Sequence, residues 1–200
     1  MESQGLHPQQ NQFHVHQKVT MMVNRYEVFA DDGQGAPGPL VAFVEQKRMT
    51  FKEQVTLYTD ASKQFVLASF KARKVIDLAS AYDVTTADGQ TIGVFGKKFG
   101  KSLFRSTWQL DQPGQGTVVI SERSMAMALF RRVWDFLPWV GDLPFPWKYH
   151  FDFVRDTAAV GLVEKKTRFR DHYLVKIDDP ALDRRLVLAQ AVALDALQSR

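Results

Sequence analysis

Tyr82-Asp83-Val84-Thr85-Thr86-Ala87-Asp88-Gly89-Gln90-Thr91-Ile92-Gly93-Val94 sets two alternating runs of β-forming residues on either side of an Asp-Gly turn, and Lys97-Lys98 follow. Asp-Gly is a strong hairpin signal, because tight turns need positive φ, which Gly adopts freely. The same phrase recurs along the chain. Tyr26-Glu27-Val28, Asp32-Gly33 and Leu40 to Val44 lead to Lys47-Arg48. Val55 to Leu57, Asp60 and Phe65 to Leu67 lead to Lys71, Arg73 and Lys74. Trp108 to Asp111 with Gly114 is answered by Thr117 to Ile120, and Phe151 to Phe153 with Asp156 by Val160 to Val163 before Lys165-Lys166. Tyr173 to Ile177 reads as a last strand, and Val19 to Val23 as one feeding the first hairpin.

About eleven or twelve antiparallel strands with alternating polarity predict a mainly β fold, and closure into a barrel would remove the exposed edges. A barrel that wide cannot be filled by its own side chains. The C-terminal segment is the natural plug. Asp179-Pro180 predicts the start of a helix over 180–198, with Asp as cap and Pro at the first helical position. Its large aliphatics lie on all sides, and Leu186, Leu188, Val192, Leu194 and Leu197 are the expected core residues. The apolar stretch would be ~18 Å long, well short of the ~30 Å hydrocarbon core of a bilayer. The structural alternative is a core helix packed on one sheet. Asp195 interrupts the apolar run and is read as a structural anchor, since an unpaired buried charge is costly.

Two hundred residues with 45% hydrophobic content fit one domain with a substantial core. There is no cysteine, which excludes disulfides, thiolate metal sites and a cysteine nucleophile. Residues 1–18 are polar and Gln-rich at the start, lack a secretory signal pattern, and are expected to form a disordered tail before a single domain over 19–200. Lys and Arg number 26 against 22 Asp and Glu, a mild excess that tilts the surface toward anionic partners. No run is long enough for a membrane-spanning helix, so the expectation is a cytoplasmic protein that meets membranes, if at all, peripherally.

The pattern resembles the LURP-one-related proteins, within the superfamily that joins the tubby C-terminal domain and the phospholipid scramblases. The residues that carry the likeness are Asn24-Arg25-Tyr26-Glu27-Val28, Tyr82-Asp83-Val84 with Asp88-Gly89 and Ile92-Gly93, Arg105 to Trp108, His150 to Phe153, Asp171-His172-Tyr173 and Leu188 to Asp195. They span nearly the whole chain, from Val19 to Leu197. The resemblance implies a twelve-stranded barrel around a central C-terminal helix, but no single activity. Tubby domains bind phosphoinositides through paired basic side chains, and scramblases are associated with lipid movement and calcium. This chain lacks the scramblases' cysteine cluster, and Asp178 to Asp183 does not match a calcium loop.

Catalytic and cofactor motifs are weak. Gly96-Lys97-Lys98-Phe99-Gly100-Lys101-Ser102 resembles a phosphate-binding loop, but the glycine spacing is one residue short and a strand follows where a helix is needed. His14-Val15-His16 would put two imidazoles on one strand face with no third ligand nearby in sequence. His150 and His172 sit beside aromatic strand residues and read as structural or exposed. No catalytic, metal or cofactor residue is assigned. Residues 124–147 break the repeat: an amphipathic segment with Arg131 and Arg132 on one side runs into a Pro-rich stretch holding Trp139. It reads either as a cover for the barrel or as an element for the membrane interface. The expected function is a non-enzymatic binding or scaffold protein. Its anionic-lipid contacts would be Lys97, Lys98, Lys101, Lys165, Lys166, Arg168 and Arg170, and its interfacial residues Arg131, Arg132 and Trp139. The alternatives are an enzyme whose site the sequence hides and a purely protein-binding module.

Overall fold

The structure is a computed structural model and describes residues 6–19, 23–47, 54–73, 81–98, 107–123, 150–166 and 172–198. Twelve strands follow one another around a closed antiparallel barrel. They are β1 (Gln12–Val19), β2 (Val23–Asp31), β3 (Pro37–Lys47), β4 (Val55–Tyr58), β5 (Val66–Ala72), β6 (Ala81–Thr85), β7 (Thr91–Lys97), β8 (Thr107–Gln112), β9 (Gly116–Glu122), β10 (His150–Arg155), β11 (Ala158–Lys165) and β12 (His172–Ile177). Each strand pairs with its neighbours in sequence, and β12 closes on β1.

Two expectations are corrected at the N-terminus. Residues 12–18 of the expected tail form β1, because apolar Phe13 and Val15 alternate with His14 and His16 and bury their side chains in the core. Val19 to Val23 is therefore not one strand: β1 ends at Val19 and β2 begins at Val23.

The helix α1 (Arg184–Gln198) begins four residues later than the expected 180. Asp179 caps a turn, accepting from Ala181 N at 2.8 Å. Asp183 is the helix cap, its Oδ1 accepting from Arg185 N at 2.9 Å. Every side chain from Leu186 to Leu194 is buried, Leu188 and Val192 among them, so α1 is enclosed rather than laid on a sheet. It packs against β5, β7 and β12. The side chains of Asp195 and Leu197 lie outside the described residues.

The inward faces of the strands complete the core. Across β5 to β8 an aromatic row runs Phe70, Tyr82, Phe95 and Trp108, with ring centroids 6.0, 5.1 and 6.4 Å apart in turn. Gly93 lets α1 approach: a Cβ there would lie 2.6 Å from the Asp111 carbonyl oxygen and 2.6 Å from Leu186 Cδ2. One turn along α1 from Leu186, Gln190 is fully buried, and neither of its amide atoms has a hydrogen-bond partner among the described residues.

Two stability changes follow. Gly93→Ala should cost about 1–3 kcal/mol in chemical denaturation, since it drives a methyl group into backbone as well as into Leu186. Gln190→Met keeps the volume and removes an unpaired amide, so it should raise stability by about 1–3 kcal/mol; a loss would show that the amide has a partner in solution.

Candidate functional site

Strand direction alternates around the barrel, so the connections alternate between its two ends. The turns after β2, β4, β6, β8 and β10, and the segment joining β12 to α1, share one end. In sequence these hold seven Asp and a single Lys: Asp32, Asp60, Asp88, Asp156, Asp178, Asp179, Asp183 and Lys63. The carboxylates shape the turns. Asp31 at the end of β2 accepts from Gly33 N at 2.8 Å, Asp32 from Gln34 N at 2.8 Å, and Asp60 from Ser62 N at 2.7 Å.

The opposite end is basic. β1, β3, β5, β7, β9 and β11 all finish there, and their last residues bring Lys18, Lys71, Arg73, Lys97, Lys98, Arg123, Lys165 and Lys166 to one rim. In sequence the connections that follow those strands carry fourteen Lys and Arg against five Asp and Glu. Of the expected lipid contacts, Lys97, Lys98, Lys165 and Lys166 are thus on one rim. Lys101, Arg168, Arg170, Arg131, Arg132 and Trp139, with the whole 124–147 insert, lie outside the described residues.

Several rim cations are already engaged. Arg73 holds Asp83 at 2.6 Å, Arg123 holds Asp152 at 2.5 Å, and Lys166 holds Glu164 at 2.7 Å. The Asp83 carboxylate raises the Arg73 guanidinium above its ordinary value, so that cation stays fixed. Lys165 lies 5.6 Å from the Tyr173 ring centroid. Lys71 and Lys98, which the sequence reading placed in separate clusters, are exposed and have no ion-pair partner among the described residues. Only β6 separates β5 from β7, so the two amines are anchored on strands about 10 Å apart. Lys165 and Lys166 stand across the rim, with β8, β9 and β10 between them and β7.

Beside this rim the outer wall has a hollow of about 230 Å³, lined in part by Gln54, Ser69, Lys71, Asp83 and Thr85. It offers an ammonium, an amide and two hydroxyls beside the Asp83 carboxylate, which Arg73 holds, and the Phe70 to Trp108 aromatic row lies along the inner face of that wall. These groups can bind an anion; they include no nucleophile paired with a base.

A second polar cluster was not assembled by sequence reasoning. His14 and His16 on β1 meet His172 on β12 and Asp31 on β2, on the outside of the barrel. His14 Nε2 lies 2.8 Å from Asp31 Oδ2, and His14 Nδ1 lies 3.0 Å from His172 Nε2. The His16 and His172 rings meet edge to face at 4.4 Å. His14-Val15-His16 was the signal for two of these groups, but the third arrives only when the chain's last strand closes on its first. No group of three or more side chains among the described residues has metal-binding geometry. No helix among them is long and apolar enough to cross a membrane.

A family model described as LURP-one-related matches residues 40–195, more than half of the chain. No curated protein and no solved structure matches it.

Proposed function

From a chain that belongs to the LURP-one-related family, we propose a non-enzymatic binding module that docks its basic rim reversibly on anionic phospholipid surfaces. The observation that carries this reading is the sorting of charge by strand parity. Hairpins whose turns are acidic alternate with connections that are basic, so the cations of the connections are concentrated at one end of the barrel and Asp dominates the connections at the other. An anionic surface attracts the first end and repels the second, which orients the barrel with its axis across the interface. Lys71 and Lys98 are the described cations best placed to act, because no internal carboxylate has to be given up. The hollow beside Lys71 is large enough for a phosphate-sized group.

The affinity should be weak and salt-dependent. Each cation near an anionic leaflet contributes about 1 kcal/mol, and the attraction decays over ~8–10 Å at physiological salt. Wild-type protein should sediment with phosphatidylcholine vesicles containing phosphatidylserine at low salt, and not with phosphatidylcholine alone. The Lys71→Ala, Lys98→Ala double variant should weaken that partition roughly ten- to thirtyfold, with an unchanged melting temperature because neither side chain is packed or paired. Asp83→Asn, which frees Arg73, should strengthen it. Wild-type protein that ignores anionic vesicles at low ionic strength would sink the lipid reading and make the basic rim a docking face for an acidic protein.

A further inference from the structure

The barrel has one strand pair that no hairpin or loop ties together. β1 and β12 are brought edge to edge only by closure, with about 160 residues between the bonded histidines His14 and His172. Their register runs from Gln12 opposite Lys176 to His16 opposite His172. The three clustered imidazoles sit on this seam. His14 is 3% exposed although it faces outward, and the His16 ring also lies tilted against Phe29 of β2, with centroids 5.2 Å apart.

The hydrogen bonds fix how many protons the cluster can hold. The Asp31 carboxylate accepts from His14 Nε2–H, which leaves Nδ1 of a neutral His14 as an acceptor for His172 Nε2–H. The bonds thus run from β2 through β1 to β12 with one proton on each ring. If both rings gain a second proton, Nδ1–H and Nε2–H face each other at 3.0 Å, two donors with no acceptor. His16 Nε2 is buried with no hydrogen-bond partner among the described residues, so it cannot host a charge cheaply. The neighbouring charges do not relieve this. Glu27 of β2 faces His16 but is held by Lys18 at 2.8 Å. Lys166, which follows β11, adds positive charge beside His172, and Glu164 is shared between Lys166 and His150.

We propose that His14, His16 and His172 form an acid-sensitive clasp on the closing seam, which holds β12 to β1 while the rings are neutral and lets the seam part when they are protonated. The inference stands independently of the lipid reading, since it concerns closure of the barrel rather than what its rim binds.

The pKa directions agree with the geometry. Burial, then the charges of His16 and His14, lowers His172 from its ordinary 6.5 to about 4. Burial and His14 also lower His16. A lowered histidine means that the opened chain takes up protons first as pH falls. Stability from His172, and in the same direction from His16, is therefore complete above about pH 6.5 and is lost progressively toward pH 4. Asp31 does not contribute to that loss, because its bond from His14 holds it below the usual carboxylate range.

The absence of native cysteine makes the seam easy to probe. Val15→Cys places a thiol behind the seam on β1, where Val15 is 2% exposed, and Val84→Cys places a control on the distant β6, fully buried. The ratio of their labelling rates by a maleimide removes the intrinsic pH dependence of the thiol. The ratio should rise roughly tenfold between about pH 7 and about pH 5, as the opened seam takes up protons that the closed one resists. It should stay flat when His172→Gln is added, since glutamine keeps the donor and cannot be charged. His16→Phe, which keeps a ring against Phe29 and removes the facing charge, should blunt the rise. A ratio that does not change with pH in the parent, or that rises equally in both variants, would overturn the clasp.

Discussion

A barrel of twelve strands encloses a lumen that its own side chains cannot fill, and α1 is what fills it. Strand residues point alternately in and out, so each strand contributes only half of its side chains to the interior. The remainder of the core must come from a segment that is apolar on every face. Nine consecutive buried residues from Leu186 to Leu194 meet that demand. Glycine appears where helix and wall come closest, at Gly93, where the wall has no room for even a methyl group beside Leu186. The helix in turn requires its cap. Asp183 satisfies the first turn, and Gln112 at the end of β8 both donates to the Ala181 carbonyl at 2.9 Å and accepts from Asp183 N at 2.8 Å. The helix entrance is thereby hydrogen-bonded to the barrel wall.

Up-and-down connectivity has a chemical consequence that no single hairpin shows. Tight turns favour Asp and Gly for local reasons, since a short carboxylate bonds the backbone amides just after it. In a meander, connections at one end are separated from those at the other by a strand length, so a local preference becomes a global one. The acidic end follows from turn chemistry. The basic end has no such local cause: the side chains of Lys71 and Lys98 make no hydrogen bond or ion pair among the described residues. Charge that geometry does not require is the charge most worth testing for a partner.

The hairpins were legible because Asp-Gly and β alternation are local signals, and the all-round apolar helix because its length and composition admit few alternatives. What stayed hidden was non-local. β1 was masked by a polar surrounding in which only Phe13 and Val15 betray a strand, and its partner β12 lies at the far end of the chain. The helix start was misplaced because Asp179-Pro180 and Asp183 both look like caps; the turn closed by Leu182 N on the Asp179 carbonyl at 3.3 Å takes the first. For the site, the basic clusters were visible one by one, but that they share a rim depends on strand direction, and that Arg73 and Arg123 are neutralised depends on cross-strand neighbours. The histidine cluster needs three strands from both ends of the sequence.

The same seam is fastened differently at its two ends. Near the acidic end the Ile177 amide donates to the Asn11 carbonyl at 2.8 Å, and Arg184, the first residue of α1, reaches the Gln10 carbonyl at 3.1 Å. Arg184 also donates to the carbonyls of Pro180 at 2.8 Å and Leu182 at 2.6 Å, and Arg155 pairs with Asp179. An arginine is charged at every accessible pH and the carbonyls Arg184 holds do not titrate, so that fastening does not respond to acid. Toward the basic end the fastening is His16 opposite His172, which does respond. Acid therefore acts on one end of a seam whose other end is pinned to the base of the central helix. Parting would begin at the rim that carries Lys165 and Lys166 and would spread downward only against the arginine bonds, so a local opening near the basic rim costs less than the loss of the barrel.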